Sequence, residues 1–150
     1  MTNWLIGLTF ALAAAPTPTP NSTQATTDWP RFRGPNGTGI AATAVPLDVS
    51  DQKNLLWKVP VPGKGWSSPI VVKGKIFLQT STDDKRLLVC VNAADGKTLW
   101  ARELPGKTAH THKKNSLASG TPACDGDAVY CVVWDGVAIS LQAIDMAGKP

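Results

Sequence analysis

Charge is scarce in this sequence. Asp, Glu, Lys and Arg together make up 17% of the 150 residues, the formal net charge is +4, and no run of basic residues exceeds two. Nucleic-acid-binding proteins normally carry a dense basic patch, so the composition predicts a protein that does not bind nucleic acid. No apolar run reaches the roughly 20 residues that a membrane-spanning helix needs, so no transmembrane span is predicted.

Cysteine, histidine and tyrosine are also rare, with three, two and one copies. No Cys-x-x-Cys spacing and no adjacent cysteine pair occurs, which excludes a zinc site of that kind. Cys124 and Cys131 face each other across a predicted hairpin, and the sequence leaves open whether they are bonded or are buried thiols like Cys90. His110 and His112 supply only part of a metal site, so no metal and no catalytic residues are predicted.

Glycine and proline, by contrast, are frequent, with 13 and 12 copies beside six tryptophans. This composition disfavours long helices and favours many short strands joined by tight turns. The predicted fold class is therefore all-β.

The N-terminal region differs from the rest of the chain. Residues 1–15 end in the apolar run Leu5–Ala15, which has the length and the small-residue ending of an export signal. Residues 16–27 are rich in Pro and Thr and predict an extended linker. We therefore expect an exported protein, periplasmic or extracellular, although Met1–Trp4 lacks the usual basic residue; the alternative is an apolar N-terminus without an export role. Residues 28–53 are interpreted as an extended segment.

An internal repeat occupies residues 54–150. Ser68–Leu78 and Thr121–Cys131 share a small polar residue, a proline, and two apolar stretches separated by a glycine turn. Val91–Lys97 matches Ala143–Lys149, which is one residue shorter. A unit of about 43 residues fits one four-stranded propeller blade, with an insertion over residues 109–120 in the second connection.

The repeat predicts one full blade, most of a second, and one strand of a preceding blade. Because strands of a meander alternate in direction, the B–C turns and the D–A connections lie on one face. That face is predicted to hold the possible binding residues Trp66, Lys113, Asn115 and Trp134. The predicted strands are 69–73, 75–80, 87–92 and 97–103 in the first blade, 121–124, 128–134 and 137–144 in the second, and 55–59 before them.

The stretch Cys90–Trp100 resembles the tryptophan-docking repeat A-x-D-x-x-T-G-K-x-x-W of propellers that are similar to pyrroloquinoline quinone (PQQ)-binding quinoproteins. Gly96, Lys97 and Trp100 match in the first copy, and Asp145, Gly148 and Lys149 match in the second; Trp57 stands at the end of an earlier copy. These residues are interpreted as a structural motif. The segment Asp28–Gly37 also resembles exported propellers of planctomycete-type bacteria.

The resemblance implies a β-propeller of eight four-stranded blades, of which this chain holds about two. Eight units need roughly 350 residues, so a truncated or fragmentary product is expected. Because the fold hosts enzymes and non-enzymes alike, three functions remain open. The favoured one is an extracytoplasmic scaffold that contacts other proteins or further blades. The alternatives are a PQQ-dependent dehydrogenase, which would need PQQ and calcium in a longer enzyme, and a propeller that binds carbohydrate or another small ligand.

Overall fold

The structure, a computed structural model, describes residues 28–106, 110–134 and 137–150. The predicted signal peptide and linker lie outside the described residues. Within these ranges every named element is a strand, and no helix has the length and apolarity to cross a membrane. The all-β prediction is confirmed. The strands are β1 Ile70–Val72, β2 Lys75–Ser81, β3 Arg86–Asn92, β4 Thr98–Leu104, β5 Ala123–Cys124, β6 Ala128–Trp134 and β7 Ile139–Asp145.

Strands β1 to β4 form the first blade, an antiparallel meander in the order β1-β2-β3-β4. Val72 pairs with Lys75, so Lys73 and Gly74 alone make the first turn. Both have positive φ, 50° and 72°, which is the backbone of the tight hairpin turn that matches the twist of the strands. The pairing of β3 with β4 shifts register between Cys90 and Val91.

Strands β5, β6 and β7 form the second blade. Its first turn is organised by the Asp125 carboxylate, which accepts hydrogen bonds from the backbone N–H groups of Ala128 and Asp127 and from the Tyr130 hydroxyl. Because these donors favour the charged form, they lower the pKa of Asp125 to about 2. Strand β7 begins at Ile139, later than the predicted start at Val137.

The hydrophobic core lies between the two blades. Side chains of a strand alternate between the two faces of its sheet, and one face of the first blade packs on the opposite face of the second. Each sheet therefore contributes only half of the core. The buried cluster consists of Ile70, Val72, Phe77, Leu88, Cys90, Leu104, Cys124, Val129, Cys131, Val133 and Ile144.

Trp100 of β4 joins the first blade to the second. Its indole N–H donates a hydrogen bond of 3.3 Å to the Met146 carbonyl. The ring lies so close to Gly148 that a Cβ added there would be 3.0 Å from the indole Cδ2. Its other neighbour is Phe77, with the ring centroids 5.8 Å apart. The indole thus fills the gap between the blades and satisfies its polar atom at the same time.

Trp57 makes the same contact one repeat earlier. Its indole N–H donates a hydrogen bond of 2.9 Å to the Ala93 carbonyl. A Cβ added to Gly96 would be 2.7 Å from the Trp57 Cε3 atom. Ala93 and Gly96 occupy the turn of the first blade that corresponds to Met146 and Gly148 in the second. Each tryptophan therefore docks on the glycine turn of the following blade.

The two glycine turns differ by one residue yet keep the same hydrogen bonds. In the second copy, the Gly148 N–H donates to the carbonyl of Asp145, three residues earlier, whereas the Gly96 N–H reaches Asn92, four residues earlier. The Asp145 carboxylate accepts hydrogen bonds from the backbone N–H groups of Lys149 and Ala147, which lower its pKa below the usual range. The shorter turn thus keeps the docking geometry.

The predicted strand over residues 55–59 is not found. The structure assigns no strand there, because a strand requires a ladder partner and none of the described residues pairs with this stretch. The segment instead covers the first blade through the side chains of Trp57 and Val59. A Cβ added to Gly96 would lie 2.7 Å from the Trp57 ring and 3.0 Å from the Val59 Cγ1 atom.

The start of the described chain runs beside the inner strands of both blades. Trp29 and Val71 exchange backbone hydrogen bonds, and the Cys124 N–H donates to the Pro30 carbonyl. The Asp28 carboxylate accepts a hydrogen bond from the Lys73 backbone N–H. The segment therefore ties β1 to β5 along the inner edge of the blades.

The outer face of the second blade is apolar and exposed. Strand pairing places Val132 opposite Leu141 and Trp134 opposite Ile139 on this face, and Leu141 and Ile139 are 67% and 74% exposed. The repeat aligns this face with the face of the first blade that carries Phe77 and Leu88 and is covered by the second blade. The two faces are equivalent in position but differ in burial.

A pair of glycine substitutions isolates the docking contact. Gly96 and Gly74 have nearly the same φ, 74° and 72°, so alanine at either position adds a backbone strain of about 1–2 kcal/mol. Nothing lies within 4 Å of a Cβ at Gly74, whereas the Trp57 ring occupies that position at Gly96. Gly96→Ala should therefore lower the free energy of unfolding by about 1–3 kcal/mol more than Gly74→Ala. Chemical denaturation measures the difference; equal losses would show that Trp57 does not dock on this turn.

Candidate binding site on the loop face

Three segments meet at one end of the blades, and we call the surface they form the loop face: residues 64–67, the β2–β3 turn 82–85, and the connection 110–120. Lys64 and Ser81 exchange two backbone hydrogen bonds of 2.9 and 2.8 Å. This isolated antiparallel bridge gives the last residue of β2 a backbone partner outside the blade and holds Lys64 against the sheet. Of the loops predicted to share one face, the structure places these three next to one another, and residues 135 and 136 of the β6–β7 turn lie outside the described residues.

The long connection is anchored at Ala118 and Gly120. The backbone N–H groups of Trp66 and Ser67 both donate to the Ala118 carbonyl, at 3.0 and 2.9 Å. The Gln79 side-chain amide donates to the Gly120 carbonyl at 2.9 Å. Because Ala118 is buried and Gln79 lies in the core-facing part of β2, the insertion is fastened to the blade although most of its side chains are in solvent.

A local network of polar side chains shapes the rest of the connection. Asn115, Ser116 and Ser119 share hydrogen bonds, including one from the Ser119 hydroxyl to the Asn115 carboxamide. The Asn115 N–H donates to the His112 carbonyl. These bonds satisfy polar groups that short-range turns would otherwise leave to water, and they give the loop a defined shape.

The β2–β3 turn faces this network. The Thr82 hydroxyl accepts a hydrogen bond from the Lys85 N–H and donates one to the Asp84 carboxylate. The Lys85 ammonium lies 3.1 Å from the Glu103 carboxylate, which raises the pKa of Lys85. Both groups are exposed, so this ion pair fixes the position of the turn more than it adds stability.

A cavity of about 230 Å³ lies between the β2–β3 turn and the insertion. Five of its eight lining residues carry a hydroxyl or amide group, and the other three are a lysine, an aspartate and a leucine. Such groups can bind a small polar ligand by hydrogen bonds, and the volume suits a single small molecule or one side chain of a partner. The lining residues are Lys64, Ser81, Thr82, Asp83, Thr111, Asn115, Ser116 and Leu117.

The four predicted binding residues occupy different places. Asn115 lines the cavity. Trp66 is 68% exposed and does not line the cavity; its backbone N–H donates to the Ala118 carbonyl. Lys113 is exposed on the insertion and does not line the cavity. Trp134 lies on the outer face of the second blade, opposite Ile139. Of these four residues, Asn115 alone lines the cavity, and Trp66 is tied through its backbone to Ala118 of the same connection.

Several residues that line the cavity could not be predicted from the sequence. Lys64 and Ser81 come together only through the bridge between their backbones, and neither belongs to a recognisable motif. Thr111 and Ser116 lie in the insertion, whose conformation the repeat does not encode. The alternation of side chains along β2 is the one signal that could have placed Ser81 on the same face as Phe77 and Gln79.

The described residues contain no group of three or more His, Cys, Asp or Glu side chains placed to hold a metal ion. The His112 Nδ1 atom accepts a hydrogen bond from the Lys114 backbone N–H at 3.2 Å. This imidazole therefore takes part in a local turn.

The two stacked antiparallel sheets, the core between them and the repeated tryptophan contact define this chain as part of a β-propeller. A family model described as "outer membrane protein assembly factor BamB" matches residues 43–148. The match covers more than two thirds of the chain, and the chain belongs to this PQQ-like repeat family. No curated protein matches the chain significantly.

The cysteines are predicted to be free and unreactive in the folded chain. Cys90, Cys124 and Cys131 are all buried free thiols. Strand pairing places Cys124 opposite Val129 and Cys131 opposite Gln142. Burial raises the pKa of Cys131 to about 12 and that of Cys90 to about 11. Since the thiolate is the reactive form, iodoacetamide at pH 8 should modify these thiols far more slowly in the folded chain than in denaturant. Mass spectrometry checks this; a Cys124–Cys131 disulfide or rapid native labelling would contradict it.

Proposed function

We propose that this chain is part of an exported β-propeller that serves as a protein-interaction scaffold, with the loop face as its contact surface. The observation that carries the proposal is the setting of Trp66. Trp66 is 68% exposed, while its backbone N–H and the backbone N–H of Ser67 both donate hydrogen bonds to the Ala118 carbonyl. An exposed indole on a backbone that is already ordered is the kind of anchor that dominates protein interfaces.

The family match supports a scaffold as well. The matching family model carries the description of an outer membrane protein assembly factor, which is an assembly role in the cell envelope. The apolar run Leu5–Ala15 supports export. Together they favour a protein that acts outside the cytoplasm by contacting other proteins.

The exposed outer face of the second blade supports a larger propeller. The corresponding face of the first blade is covered by the second blade, and Leu88 there is fully buried. Leu141, at the corresponding position, is 67% exposed. We propose that a further blade of the same repeat covers Val132, Leu141 and Ile139, because the repeat that precedes them is covered in that way.

Site-specific photo-crosslinking in the native host tests the scaffold. A photoreactive amino acid at position 66 should give a discrete adduct with a partner protein, recovered in the cell-envelope fraction. The matched control is position 95, because Asp95 is exposed on the glycine turn at the other end of the first blade. Position 95 should give no adduct.

Competition sharpens this experiment. Excess chain without the photoreactive group should suppress the adduct, and the Trp66→Ala variant should suppress it at least tenfold less well, because hot-spot tryptophans contribute about 2 kcal/mol or more. Equal competition by the two chains would contradict a role for Trp66, and an adduct confined to the cytosolic fraction would contradict export.

The cavity favours a second candidate function, the binding of a carbohydrate or a similar small polar ligand. Its hydroxyl and amide lining carries this candidate. Thr111→Val should weaken the binding of such a ligand about 3- to 10-fold, because a single hydrogen bond is lost. Thr38→Val is the matched control, since Thr38 is exposed in the N-terminal segment. Calorimetric titration with a panel of neutral sugars measures the effect, and an equal loss in both variants would count against the cavity.

A further inference from the structure

Two parts of this chain match one another in the repeat but are not paired with one another. Strand β7 is the outermost strand of the second sheet, which has three strands where the first has four. Residues 55–59 have the sequence of a fourth strand, yet no backbone hydrogen bond among the described residues involves them. The described chain therefore holds one open sheet edge and one strand-like segment without a ladder partner.

The repeat assigns residues 55–59 to the place beside a strand such as β7. Trp57 docks on the glycine turn of the following blade as Trp100 of β4 does, so the segment corresponds to β4. Strand β4 pairs with β3, with Trp100 opposite Cys90. Strand β7 corresponds to β3, with Ala143 at the position of Cys90. A segment like 55–59 is therefore what would complete the second sheet, with its tryptophan opposite Ala143.

The face of the first blade that is turned away from the second blade, which we call the leading face, is covered unevenly. Side chains of a strand alternate between the two faces, which places Val89 and Val91 of β3 on the leading face, at 0% and 2% exposure. Val71, Ile76 and Leu78 lie on the same face but on the inner strands β1 and β2, and they are only partly buried. The outer part of the leading face is thus covered within the chain, and the inner part is open to a further element.

The contact between blades occurs once in the described chain, and both of its halves are presented a second time. One half is the outer face of the second blade, where Val132, Ile139 and Leu141 are 54%, 74% and 67% exposed. The other half is the open inner part of the leading face. Exposed blade faces and open strand edges both favour association. A second copy of the chain supplies each half with its partner, in the same contact that already joins the first blade to the second.

We propose that copies of this chain associate head to tail. Residues 55–59 of one copy pair with β7 of its neighbour as a fourth strand, and the leading face of the same copy covers Val132, Ile139 and Leu141 of that neighbour. Trp57 keeps its docking contact with Gly96 of its own chain. This inference rests on the further blade proposed above and names a second copy as its source.

The two surfaces of this contact are different, so the association is heterologous and generates either a closed ring or an open chain. Each copy contributes two blades. Rings of about four to eight blades, which are typical of propellers, therefore correspond to about two to four copies.

Sedimentation equilibrium of the full chain tests the association. The mass should rise with concentration to a multiple of that of one copy. Leu141→Lys should weaken the association at least about tenfold, because an ammonium would be covered without a partner. Leu47→Lys is the matched control, since Leu47 is fully exposed in the N-terminal segment, and it should associate as the unaltered chain does. Both variants should keep the circular dichroism spectrum of the unaltered chain, because both leucines are exposed. A monomer at every concentration, or equal association of the two variants, would overturn the proposal.

Disulfide trapping tests the strand pairing and its register. In the proposed ladder Lys58 of one copy lies opposite Gln142 of its neighbour, and Cβ atoms of opposite residues are about 5 Å apart, within reach of a disulfide. A chain with Lys58→Cys and a chain with Gln142→Cys should therefore form a mixed disulfide on oxidation. Ala101→Cys replaces Lys58→Cys in the control mixture, because Ala101 occupies the same repeat position but is already paired with Val89. Mass spectrometry maps the bond, and no bond in the first mixture, or equal trapping in both, would contradict the pairing.

A photoreactive amino acid at position 141 in the native host separates this proposal from the one on which it rests. An adduct between two copies, mapped to the inner strands β1 and β2, supports the second copy. A crosslink within one longer polypeptide rejects the second copy and keeps the further blade. No crosslink from position 141 rejects both. The adduct expected from position 66 reports on the loop face alone, so the scaffold can stand or fall independently of the head-to-tail contact.

Discussion

The packing of one sheet face on the next blade is the interaction on which the rest of the structure depends. Neither sheet encloses a core of its own, because side chains such as Phe77 and Val129 point from their strands into the cluster shared with the neighbouring sheet. An isolated sheet of three or four short strands gains stability only when an apolar face is covered. Stability in this chain is therefore a property of neighbouring blades, as in other repeat architectures.

Tryptophan docking makes this packing specific. Trp57 and Trp100 each place the ring edge against a glycine and the indole N–H on a backbone carbonyl of the next turn. The glycine leaves room for the ring, and the hydrogen bond fixes its orientation. The same arrangement tolerates a turn that is one residue shorter in the second copy, because the carbonyl of Met146 replaces that of Ala93 as acceptor.

Because the fold depends on packing between sheet faces and on tryptophan docking, the loops are free to vary. The insertion 110–120 adds a network of its own and a cavity. Among the described residues, its hydrogen bonds to the blade segments are made through Ala118 and Gly120, away from the tryptophan-docking contacts. Binding residues in such a protein are expected on loops of this kind.

Much of the fold could be predicted from the sequence because its determinants are local. The strands are predicted by alternating apolar residues and glycine turns. The contact between blades is predicted by the spacing of Trp57 and Trp100. The stretch 55–59 forms no ladder among the described residues, because a strand depends on a partner that local pattern does not contain. The cavity required the pairing of Lys64 with Ser81, which the local sequence pattern does not contain.

The most direct test of the account is hydrogen exchange at the indole N–H groups, measured by nuclear magnetic resonance. The hydrogen bonds to Ala93 and Met146 should protect Trp57 and Trp100 from exchange, whereas the exposed Trp66 and Trp134 should exchange rapidly. Exchange of all four indoles at one fast rate would contradict docking between the blades and, with it, the assignment of this chain to adjacent propeller blades.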